Sequence, residues 1–179
     1  MKGFMKFVSP LIALLLVSFN VQSHETTADI IARAESAAPS HVSKHATIYD
    51  MDGHTVLRKG TNEWHCMPNI HLIPGDKHPM CNDAVWMKWM RAIAKGEEFS
   101  TDRIGLGYML KGDAHVSNSD PAATDPNNGD AWVEEGPHVM VIVPKELLKG
   151  VSTDPHNGGP YVMWGDTPYA HIMFPTENK

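Results

Sequence analysis

Four histidine-x-methionine triplets recur along the chain: His65-Cys66-Met67, His78-Pro79-Met80, His138-Val139-Met140 and His171-Ile172-Met173. With 11 His and 11 Met in 179 residues, chance placement would give fewer than one. Imidazole suits copper or zinc and a thioether selects Cu(I), so the pairing points to soft-metal chemistry. The spacing matters because residues i and i+2 of a strand share a face. His138 with Met140, and His171 with Met173, fall in segments that read as strands. If those strands are neighbours, two imidazoles and two thioethers converge, and His115 lies where it can join them. The candidate metal set is therefore His138, Met140, His171, Met173 and His115, with copper foremost and zinc second. A small-molecule site lined by the same side chains is the other form of this reading. A bland alternative stands beside both: Met is a common filler of irregular cores, and a His at a strand end often bonds a backbone carbonyl or faces water.

Other chemistry leaves fewer traces. The chain has no Gly-x-Ser-x-Gly elbow, no His-Glu-x-x-His and no glycine-rich phosphate loop. Asp113 and His115, with His138, offer a general acid–base pair. An exported enzyme using the same pocket is thus the second reading, and a structural or partner-binding protein the third.

The compartment follows from the amino-terminal segment. Lys2 and Lys6 precede an apolar run, 7–19, that is shorter than the roughly 20 residues a spanning helix needs. Val21-Gln22-Ser23 then supplies a cleavage-type ending. Residues 1–23 read as a signal peptide, which places the rest in the periplasm or outside the cell, with no membrane anchor after cleavage. Such a cut would leave His24 first, where a terminal amine and its imidazole together chelate Cu(II). In an oxidising compartment the two cysteines, Cys66 and Cys81, read as a disulfide, which removes thiolate from the ligand set. The net charge of −6 becomes more negative once Lys2 and Lys6 are lost. It gives no electrostatic footprint for nucleic acid.

The elements that must position these residues follow from periodicity. Residues 27–38 carry Ile30, Ile31, Ala34 and Ala38 on one helical face, and 40–45 read as a polar connector. Residues 46–59 read as a hairpin turning at Asp52-Gly53. The strongest helix is 82–95, where Trp86, Trp89, Met90 and Ile93 form one stripe, capped by Asn82 or Asp83 and ended by Gly96. A strand at 104–111 contains Gly105 and Gly107, a sign of a bulge or of another group lying close. A long polar loop spans 112–131. Residues 139–143 read as a central strand covered on both faces, and 161–164 and 170–174 as the last strands. Thr124-Asp125-Pro126-Asn127-Asn128-Gly129 is echoed by Thr153-Asp154-Pro155-His156-Asn157-Gly158, the same turn chemistry used twice. The expected architecture is α+β: a mainly antiparallel sheet packed against one main helix, about 82–95, with a peripheral amino-terminal helix. Residues 24–45 would form that helix and its connector, and 46–179 a single globular domain.

Several stretches carry a likeness. They are Leu57-Arg58-Lys59-Gly60-Thr61-Asn62-Glu63-Trp64-His65-Cys66-Met67-Pro68, Gly107-Tyr108-Met109-Leu110, Gly136-Pro137-His138-Val139-Met140 and Thr167-Pro168-Tyr169-Ala170-His171-Ile172-Met173. Through them most of the mature chain resembles a group of small, uncharacterised secreted proteins of proteobacteria. The resemblance implies export and one compact domain, and brings no activity with it.

Overall fold

The computed structural model describes residues 25–177 apart from 72, 128 and 130. The expected leader, 1–23, and the His24 terminus lie outside the described residues. Two helices come first, α1 (Thr27–Glu35) and α2 (Ser40–Ser43). Then follow β1 (Thr47–Tyr49), β2 (Val56–Arg58), β3 (His65–Met67), β4 (Met80–Asn82) and the longest helix, α3 (Ala84–Lys95). The second half holds β5 (Gly105–Met109), β6 (Val116–Ser117), β7 (Trp132–Val133), β8 (His138–Ile142), a 3-10 turn (Lys145–Leu148), β9 (Tyr161–Met163) and β10 (His171–Pro175). The class is α+β. Eight strands form one sheet in the order β2-β1-β3-β4-β5-β8-β10-β9, and β6 and β7 pair apart from it. Within the sheet β1 and β3 run parallel, and the remaining neighbours are antiparallel.

Paired residues in adjacent strands share a face, so the register assigns the two sides of the sheet. One side carries Met67, Met80, Met109, Met140, Met163 and Met173, packed with Trp86, Trp89 and Met90 of α3. The other carries Ile48, Cys66 and Cys81, packed with Ala34, Ala37 and Val42. The amino-terminal helix is therefore not peripheral. It lies on β1 to β4, opposite α3, and the expected connector contains α2 with Val42 buried. This cover stops short of β8. That strand is central, between β5 and β10, but its outward residues Val139 and Val141 are only half-buried. The expectation of cover on both faces fails there because α1 lies over β1 to β4, and the cluster it forms extends to Tyr108 of β5.

Local chemistry explains the helix seats. In α1, Thr26 and Asp29 form a reciprocal capping box. In α3, the Asp83 carboxylate accepts from the backbone N–H of Val85 and Trp86 at 2.9 and 2.8 Å, and Gly96 ends the helix in the left-handed conformation at φ 65°. Gly105 and Gly107 let α3 lie close on β5. A Cβ at Gly105 would stand 2.9 Å from Val85, and one at Gly107 2.9 Å from both Asn82 Oδ1 and Met140 Cε. Close approach, the sequence reading of these glycines, is what the structure shows. The echoed turns also match. Asn127 N–H bonds the Asp125 carboxylate and His156 N–H bonds that of Asp154, at 2.9 Å each.

Cys66 and Cys81 are directly paired across β3 and β4 and joined by a disulfide. Both are fully buried beneath α1. The bridge closes 15 residues of sequence, which contributes about 3 kcal/mol in the chain-entropy account. A Cys66→Ala/Cys81→Ala variant should lose about that much in a urea melt, with a somewhat steeper slope because the unfolded chain is no longer cross-linked. A loss under about 1 kcal/mol would mean that the helices alone hold this corner.

Candidate functional site

The inner side of α3 does not seal completely against the sheet. Between them, closed on the third side by β6, the 120–124 segment and Trp132 of β7, lies a cavity of about 390 Å³. Its floor is the methionine face: Met80, Met109, Met140 and Met163, with His171. Its roof is the α3 stripe of Trp86, Trp89 and Met90. The stretch read from sequence as a long polar loop supplies much of its wall, through Asp113, His115, Val116, Ser117 and Asp120.

His171 sits at the aromatic end. Its ring meets Trp86, Trp89 and Trp164 edge-on, with centroids 5.4, 5.2 and 5.1 Å away. Nδ1 lies 3.0 Å from the Tyr169 carbonyl, which can only accept, so Nδ1 carries the proton and Nε2 keeps the lone pair. Burial, with a smaller contribution from His138, lowers its pKa to about 4 against the pull of the Tyr169 bond. This imidazole is neutral in ordinary buffers. Trp164 has a positive φ of 55°, a conformation that non-glycine residues rarely hold. Its backbone N–H donates to Asn118 O at 2.8 Å and its indole N–H to Ser117 O at 2.7 Å. These bonds tie the end of β9 to β6 and set the aromatic wall. Trp86 lines the cavity, and its buried indole N–H has no hydrogen-bond partner among the described residues.

Asp113 stands in the polar wall. Its carboxylate accepts from Ala114 N–H at 2.7 Å, and its own N–H is held by Glu135 O. Burial raises its pKa to about 7, against the Ala114 bond and nearby His78; Asp76 and Glu135 push it further up. Those neighbours are themselves fixed. Asp76 accepts from Ile70 N–H, His78 N–H and His78 Nδ1–H, and the Tyr161 hydroxyl donates to Glu135 at 2.8 Å.

The metal residues expected from sequence divide. Met140, His171 and His115 line the cavity; His138 and Met173 do not. The strands are neighbours as required, and Met140 pairs directly with Met173. The antiparallel register, however, runs the two triplets in opposite directions. His138 pairs with Pro175 and Val141 with Ile172, so His171 falls beside Ile142. Four residues of strand, about 13 Å, separate the two histidines along the sheet. His138 Nδ1–H donates to Gly136 O at 2.7 Å. His115 is exposed, with its ring against Trp132 at 5.3 Å. Among the described residues no three His, Cys, Asp or Glu side chains are grouped to hold a metal ion.

No family model, curated protein or solved structure matches the chain. What the site does is carried by its own geometry. Trp86 and Trp89, which the sequence places on one helical stripe, both pack against the sheet and line the cavity. Trp164 and Trp132 carried no signal. Asp113 was noted only as half of an acid–base pair.

The buried carboxyl has a consequence for stability. Its pKa rises on folding, so the folded state favours the protonated form. That contribution is complete below about pH 4 and is lost as pH rises through about 7. Asp113→Asn mimics the protonated form. It should be more stable than the parent at about pH 8, by up to roughly 4 kcal/mol, with the gap closing towards pH 4. Denaturant melts at both pH values check this, and a gap independent of pH would contradict it.

Proposed function

We propose that this chain is an exported binding protein for a small molecule, and that the cavity under α3 holds the ligand. The observation that carries the reading is the cavity itself. At about 390 Å³ it lies in the range of small-molecule sites. Its walls are mainly apolar, with tryptophan and methionine the largest contributors and a few separate polar groups, as such sites usually are. The neutral His171 offers an acceptor at Nε2 and Trp86 an indole donor. The sequence resemblance supports export and adds no activity. The disulfide agrees with an oxidising compartment, and no described helix is long and apolar enough to cross a membrane.

A copper reading keeps one specific support. Met80, Met90, Met109, Met140 and Met163 share the cavity with His171. A His that donates Nδ1–H to a carbonyl presents Nε2 as metal-ligating histidines do. In this form the copper set is His171 with thioethers of the cavity, without His138 and Met173, which lie outside it. Zinc fits a thioether-rich wall less well.

One titration series separates the readings. Metal-free mature protein is titrated with N-phenyl-1-naphthylamine, a neutral fluorescent probe, and separately with Cu(I), Cu(II) and Zn²⁺. The small-molecule reading expects the probe to bind and to quench tryptophan. Ala123→Trp, which fills the loop side of the cavity, should weaken it by about tenfold or more. Absence of probe binding, or binding indifferent to Ala123→Trp, sinks it. Cu(I) binding lost in His171→Ala and kept in His138→Ala would establish the copper reading instead.

A further inference from the structure

The walls of the cavity narrow the class of ligand, given that the cavity is a ligand site. Four of the five tryptophans of the chain line it: Trp86, Trp89, Trp132 and Trp164. Indole faces attract positive charge through the ring quadrupole, more strongly where water is excluded. The same lining carries two carboxyl side chains, Asp113 and Asp120, and among the described lining residues neither Lys nor Arg. Asp113 is only 8% exposed. A carboxylate buried in the cavity wall is costly, and an incoming cation offsets that cost. His171, the one imidazole buried in the wall, is held neutral, so the protein places no positive charge of its own among the tryptophans. The chain as a whole is acidic, at −6, which favours the approach of cations over anions.

We propose that the ligand is a small organic cation, an amine or quaternary ammonium on an apolar body, with its charge held between the tryptophan walls and the Asp113 carboxylate. An anion would meet Asp113, Asp120 and the field of the whole chain. A neutral apolar ligand would fill the volume but bring no charge to the buried Asp113 carboxylate, and His78 nearby is already held by Asp76. The methionine floor takes the apolar body, since thioethers adapt to irregular shapes.

Two isosteric probes test this: trimethylphenylammonium and its neutral counterpart, tert-butylbenzene. The disulfide-intact mature protein is titrated with each at about pH 8, where the Asp113 carboxyl is ionised, and binding is followed by tryptophan fluorescence and calorimetry. The ammonium should bind about tenfold tighter or better. In Asp113→Asn that ratio should fall to within about twofold of one. Equal or tighter binding of tert-butylbenzene by the parent protein overturns the cation inference and leaves the ligand-site reading standing. Binding of neither probe overturns both. A full ammonium preference in Asp113→Asn overturns Asp113 as the counter-charge. The parent comparison is decisive without any variant, so a folding defect in Asp113→Asn does not blunt the test.

Discussion

The Asp83 carboxylate holds three backbone N–H groups at once. One oxygen takes those of Val85 and Trp86 at the start of α3, and the other takes that of Leu106 in β5 at 2.8 Å. The Asp83 N–H returns a bond to Leu106 O at 3.0 Å. Helix and strand are thereby fixed to each other at the point where α3 begins. The two glycines of β5 remove the side chains that would push the helix away. From this joint the rest follows. The α3 stripe is laid over the methionine face, Trp86 and Trp89 are brought against His171, and the space left towards β6 and β7 becomes the cavity.

The polar parts of the site are arranged around that joint and not within it. Asp76 holds Ile70 and His78 around its carboxylate, and Glu135 is held by Tyr161 from β9. Trp164 is kept in an unfavourable backbone conformation by bonds to two successive carbonyls, of Ser117 and Asn118. Strain of this kind persists where the surroundings over-determine it, and it is often found beside functional sites. The outcome is a cavity with a methionine-rich floor and a wall in which Asp113 is buried, backed by Asp76 and Glu135.

Much of the fold was legible in the sequence. The α3 stripe and its caps, the Asp52-Gly53 turn, the cysteine pair and the close approach at Gly105 and Gly107 are local patterns with local causes. The less legible parts depend on contacts between distant segments. Nothing in residues 27–38 says that their small, alanine-rich face will lie on the disulfide. Alternation in β8 was masked because Val139 and Val141 are apolar yet only half-buried. The site divides in the same way. Sharing a face at i and i+2 was correct for both triplets, and so was their adjacency. The direction of pairing is a property of topology, and it set the two histidines at opposite ends of the strands. The tryptophan walls could not be told from packing, because the same stripe does both.

The central claim is that the space between α3, the methionine face and the β6–β7 hairpin is occupied by ligand. Methionine methyl NMR during titration with N-phenyl-1-naphthylamine tests it most directly, because the methionines of residues 24–179 sort themselves by position. Shifts should concentrate at Met80, Met90, Met109, Met140 and Met163, which line the cavity, and stay small at Met51 and Met67, which do not. Shifts spread over non-lining methionines, or a probe that binds without moving those five, would contradict the account.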